Sequence, residues 1–182
     1  MSTSDILKPQ NKLPQTRTAT ILLVGTEGIG KHELARALIS INEPFSVQIR
    51  TASTLPLPTE GEESRPRIDF ICFIIDLTKR DSMRVIEESM QYVDARYFLG
   101  KSCFVALNVK FPERRGVDLE LLTQFSDYYG SSILYGGLQT DQEKITLAKQ
   151  ILNLAKVSAG LCYNVSPLLI DSTRKPYDIQ LL

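Results

Sequence analysis

The chain has 182 residues, 43% of them hydrophobic, with Lys+Arg 21 against Asp+Glu 21. That is one domain's length with enough apolar side chain to fill a core, and the balanced charge raises no field to draw nucleic acid or a membrane surface. The longest apolar run, residues 70–75, is too short to cross a bilayer and suits a strand buried on both faces. Residues 1–5 lack the basic and apolar stretches of a secretion signal, and Cys72, Cys103 and Cys162 stand without metal spacing. Buried free thiols in a cytoplasmic or nuclear protein are expected.

In chain order, residues 1–18 are polar, with Pro9 and Pro14, and read as an N-terminal tail. Residues 18–24 predict a strand. Gly25, Gly30 and Lys31 then fit the phosphate-loop spacing G-x-x-x-x-G-K-[ST] up to its last position, where His32 replaces the hydroxyl. In a working loop, backbone N–H groups and a helix N-terminus face the phosphates, the lysine reaches the outer ones, and the hydroxyl ligates Mg²⁺. Imidazole is a poor ligand for so hard an ion. Without a phosphate, Lys31 is expected to reach solvent or pair with Glu27. A lone histidine at a helix start reads as an ordinary first-turn residue.

Residues 33–41 carry Leu34, Ala37, Leu38 and Ile41 on one helical face, and Asn42, Glu43 and Pro44 stop that helix. Phe45, Val47 and Ile49 alternate as in a half-buried strand. Residues 52–66, with four prolines or glycines and three glutamates, predict a polar loop. A central strand follows at 68–77. Met83, Val85, Ile86, Met90 and Val93 predict a long amphipathic helix over 81–97, ended by Gly100. Residues 103–107 predict another buried strand, 117–129 a helix, 131–135 a short strand, and 139–158 a last helix with Ile145, Ala148, Ile151, Leu152 and Ala155 inward. The body is therefore expected over 19–159, with a C-terminal tail at 160–182 partly packed on it. Strands alternating with helices predict an α/β fold.

This order resembles that of the small GTPases, as does the apolar strand that leads into Asp76, Thr78 and Ser82 with the spacing D-x-[TS]-x-x-x-S. The resemblance implies a three-layer, doubly wound fold with a mostly parallel sheet. It stops short of the family's functional motifs. Residues 52–66 hold no D-x-x-G, and three residues between helix and strand leave little room for a switch I threonine. The guanine-reading N-K-x-D position has Asn108, Val109, Lys110 and Phe111, and the S-A-K position has Gly137, Leu138 and Gln139. A phenyl ring cannot accept from guanine as the aspartate does. No cofactor, metal or catalytic residue is expected. An active or nucleotide-binding small GTPase with atypical motifs is the rival reading, and a GTPase-like trafficking adaptor is a third.

A finer resemblance rests on residues 19–27, Leu55 to Pro58, Arg65 to Asp69, Glu87 to Ser89, Val93 to Ala95 and Phe98 to Lys101. Together these are similar to the centromere protein M family, over about residues 12–170. That implies a GTPase-like pseudoenzyme of the inner kinetochore, assembling with centromere proteins H, I and K. Contact with membrane or directly with nucleic acid is not expected. Tyr97, Phe98 and Leu99, after the long helix, and Leu168 and Leu169, in the tail, exceed what a core needs and are the expected partner-binding residues.

Overall fold

The computed structural model describes residues 6–9, 12–58 and 64–165. Five strands, β1 (Thr18–Val24), β2 (Ser46–Ala52), β3 (Phe70–Asp76), β4 (Ser102–Leu107) and β5 (Ser132–Gly136), form one all-parallel sheet in the order β2-β1-β3-β4-β5. Helices α1 (Lys31–Ser40) and α4 (Asp141–Ser158) cover one face, and α2 (Arg80–Met90) and α3 (Leu119–Tyr129) the other. This is the three-layer, doubly wound, small-GTPase-like α/β fold.

Strand periodicity divides the core. Ile21, Leu23, Phe70, Cys72, Ile74 and Val105 point to Leu34, Leu38, Ile151 and Leu152 of α1 and α4. Leu22, Val24, Ile71, Phe73, Ile75 and Phe104 point to Met83, Ile86 and Leu122 of α2 and α3. Because β3 is buried on both faces, its run is continuously apolar. Cys72 and Cys103 are free and buried, as their apolar setting predicts, with sulfurs 3.8 Å apart across the β3–β4 pair.

Two helices depart from the sequence reading. α2 ends at Met90 rather than Tyr97, and a 3₁₀ turn, Ala95–Phe98, follows after a short extended stretch. α4 begins at Asp141, because the Thr140 side chain accepts from Glu143 N–H while Glu143 accepts from Thr140 N–H, a reciprocal cap. On that helix Leu147 is buried where Ile145 was expected, and Ile145 is exposed.

Candidate functional site

In an open parallel sheet, ligands bind beyond the carboxyl ends of the strands where the strand order reverses. Here that point lies between β1 and β3, and the Gly25–Lys31 loop occupies it. Gly28 and Gly30 have φ of +67° and +97°, left-handed values that glycine reaches without cost. A Cβ on Gly30 would also run into the Leu138 side chain, which lies directly over the loop.

Lys31 neither reaches solvent nor pairs with Glu27 as a hydrogen-bonded partner. It is 8% exposed and turns back into its own loop. Its Nζ donates to the carbonyls of Gly25 and Thr26 (the latter 3.1 Å) and lies 3.4 Å from Ser53 Oγ at the end of β2. An ammonium has three donors, and each has an acceptor from the chain. Burial pushes the Lys31 pKa below its ordinary value, and nearby Glu27 offsets part of that. Glu27, His32 and Glu33 line the mouth of the adjoining concavity of about 450 Å³, so two carboxylates stand where phosphates would approach.

At the end of β3, Asp76 accepts from Thr78 N–H (3.0 Å), Thr78 Oγ1 (2.7 Å) and Asn108 Nδ2 (2.9 Å). Burial alone would raise its pKa, but the bonds from Asn108 and Thr78 outweigh it and hold the carboxyl below its ordinary range. Asn108, the one retained residue of the base-reading position, is thus tied to the neighbouring strand end. Phe111 lies under the Arg114 guanidinium at 5.7 Å. Asp69, at the opposite end of β3, accepts from Thr20 N–H and pairs with Arg67. Seven residues of strand place it roughly 20 Å from Asp76, too far for the two carboxylates to share one reaction. Among the described residues no three His, Cys, Asp or Glu side chains gather at metal-ligand range, and no helix is long and apolar enough to cross a membrane.

The amino end of the sheet is different. A groove of about 900 Å³ runs between the 3₁₀ turn and the C-terminus of α3, with Met90, Val93, Phe98 and Leu99 on one wall and Tyr128 and Tyr129 on the other. Tilted and edge-on ring contacts lead from its wall into the core: Phe98 and Tyr129 lie 4.6 Å apart, Tyr129 and Phe125 4.9 Å, and Phe125 meets Phe104 of β4 at 5.4 Å. Tyr128 is 83% exposed at the rim. Of the expected partner residues, Phe98 and Leu99 line this groove, each partly exposed. Tyr97 does not. It is fully buried, its hydroxyl donates to Ile68 O at 3.1 Å, and it anchors the turn from beneath because an aromatic ring with one satisfied hydroxyl fits a closed core. Leu168 and Leu169 lie outside the described residues. Tyr128 and Tyr129 were missed by the sequence reading; the signal was a pair of tyrosines directly before Gly130, with Tyr128 falling off the buried stripe of α3.

The family model for Centromere protein M (CENP-M) matches residues 4–177. The chain is similar to centromere protein M of Xenopus laevis, 34% identical over 166 residues, covering 91% of this chain and 92% of the relative. It is likewise similar to that of Homo sapiens, 34% identical with 90% and 89% covered, and of Danio rerio, 33% identical with 86% and 84% covered.

Proposed function

This chain belongs to the centromere protein M family, and from that premise we propose that it is a non-catalytic scaffold of the inner kinetochore. Family membership makes it a structural protein of the nuclear centromere and kinetochore, acting in chromosome segregation. In our reading it is a pseudo-GTPase: a single GTPase-like domain over 19–159, with tails at 1–18 and 160–182. It works in the constitutive centromere-associated network by assembling with centromere proteins H, I and K.

One observation carries the pseudoenzyme part. Lys31, the cation that would meet phosphate, has all three donors engaged inside its own loop. Glu27 and Glu33 at the mouth, Val109 and Phe111 in place of the guanine-reading pair, and His32 in place of the Mg²⁺ hydroxyl support the same reading. Nucleotide binding would require exchanging internal bonds for ligand bonds against like charge.

The partner surface in this reading includes the amino-end groove, with Phe98 and Leu99 on its wall, and the partner is the helical-repeat protein centromere protein I; Leu168 and Leu169, outside the described residues, are proposed from the sequence alone as further contacts. Interfaces concentrate energy in a few desolvated anchors. Leu99→Glu or Leu168→Glu is expected to abolish co-elution with centromere protein I while circular dichroism of the isolated chain is unchanged. Fluorescent GTP titrated with Mg²⁺ on the same sample is expected to show no saturable binding. Saturation below about 10 µM, worth roughly 7 kcal/mol, favours the GTPase alternative.

A further inference from the structure

Residues 80–99 contain neither glycine nor proline, and Met83, Ile86, Met90, Val93 and Tyr97 keep the three-four spacing of a single helix face. Nothing in that stretch obliges the helix to end at Met90, yet it does. The bonds at the break say what ends it. In a continuous helix, Asp94 N–H would donate to Met90 O, and Tyr92 O would accept from Arg96 N–H. Instead Asp94 N–H donates to Leu7 O (3.0 Å), and Tyr92 O accepts from Leu7 N–H (2.8 Å), which makes a one-residue parallel bridge between Leu7 and Val93. Arg96 N–H, left over, donates to the Asp94 carboxylate at 2.9 Å and starts the 3₁₀ turn.

We infer that Leu7 is a positioning residue: the N-terminal segment captures the backbone groups that would extend α2, and so holds Phe98 and Leu99 on the groove wall. The segment is anchored for that task. Pro9 is buried, and the Leu7 side chain packs against the core on the α2 side of the sheet. Val93 and Tyr97 stay in that core through the break, so the chain keeps its apolar stripe while redirecting residues 98 and 99. Val93 itself lines the groove on the same wall as Phe98 and Leu99, which places the bridge directly beside them. A continuous helix would turn Phe98 and Leu99 about its axis and take that wall apart. The conformational step stands on this chain alone; its effect on docking rests on the partner surface proposed above.

The test is Leu7→Pro, which deletes the N–H that Tyr92 O accepts, against Leu7→Val, which keeps the backbone bridge. Both are read by NMR on the full chain. In Leu7→Pro the Asp94 and Tyr92 Cα shifts are expected to move to the helical side, while those of β3 and β4 stay in place and Leu7→Val matches the parent. If the broken form falls to about a tenth of the population, the apparent affinity for centromere protein I weakens roughly tenfold. Unchanged Asp94 and Tyr92 shifts in Leu7→Pro, or equal changes in Leu7→Val, overturn the proposal. If Leu7→Pro disturbs β3 and β4, deletion of residues 1–9 repeats the comparison, and loss of the core there too rules out a local device. Moved shifts with undiminished docking overturn the positioning step. Unmoved shifts, with Leu99→Glu still abolishing docking, overturn the role of Leu7 and leave the partner surface intact.

Discussion

Each end of the sheet sets a connecting segment and a helix terminus beside the strand ends, after the strands at the carboxyl end and before them at the amino end, and the two ends treat those parts in opposite ways. At the carboxyl end polar groups are spent on the chain itself: Lys31 on Gly25, Thr26 and Ser53, and Asp76 on Thr78 and Asn108. At the amino end an apolar aromatic wall is left open to solvent, with Phe98, Leu99 and Tyr129 on it and Tyr128 at its rim. A site closed by its own hydrogen bonds has little free energy to offer a ligand, whereas exposed, packed rings gain on being covered. In the pseudo-GTPase reading proposed above, the loop's donors are already satisfied inside the fold and leave a phosphate little to gain.

The largest expected effect lies within the amino end. Tyr97→Ala empties a fully buried site and is expected to cost about 3–5 kcal/mol in urea denaturation. Its neighbour Leu99→Glu is expected to stay within about 0.5 kcal/mol of the parent while losing docking. If the two behave alike in the isolated chain, the groove wall is core.

At the carboxyl end, Gly30→Val puts a β-branched residue on a left-handed backbone and displaces the Leu138 methyl, and is expected to cost about 1–3 kcal/mol in the same assay, nearly all of it from the backbone. A cost near zero would mean that the loop adapts freely, as a working ligand loop must.

Lys31→Ala leaves the buried Gly25 carbonyl and the part-buried Thr26 carbonyl short of a donor, so about 1–2 kcal/mol is expected rather than the few tenths of a surface change. Its pH signature has a definite sign. Burial lowers the folded-state pKa below 10.5, so the unfolded chain holds the extra proton between the two values. Stability linked to Lys31 therefore rises with pH on approaching 10.5, and Lys31→Met removes that rise in thermal melts at alkaline pH.

The smallest effect belongs to Asp94. The hydrogen bond from Arg96 holds its carboxyl below the ordinary 3.8 against the opposing pull of burial, and Lys8 of the N-terminal segment adds to the lowering. Its stabilisation is present above pH about 4 and lost as pH falls through the lower, folded value. Thermal midpoints of the parent and Asp94→Asn are expected to converge in acid. A gap that persists there would assign the carboxylate no role in the turn.

Much of the fold was legible because local signals agree with it. The two-sided burial of β3 writes itself as an unbroken apolar run, Asp118 caps α3, and Gly130 ends that helix in the left-handed conformation it alone takes easily. Thr140 and Glu143 also spelled a capping box, a readable sign that α4 starts at Asp141. The stop at Met90 was not legible. The stripe through Tyr97 keeps helical spacing, and the group that intercepts it, Leu7, is distant in sequence. Ile145 and Leu147 both sit on α4, and only the tertiary packing selects the second. At the loop, composition gave Lys31 two exposed fates; carbonyls that converge only in the folded turn supplied a third.

The sheet order also governs how the chain is made. β1 lies between β2 and β3, and its register with β3 joins Ile21 to Phe70. Roughly fifty residues must follow β1 out of the ribosome before that partner exists, an interval of about 3–10 s at ordinary rates of synthesis. Until then Ile21, Leu22, Leu23 and Val24 have only β2 on one side, and the other edge is a bare apolar template. The nascent chain is therefore most open to chaperone capture or misassociation in that window, and arrival of β3 closes it.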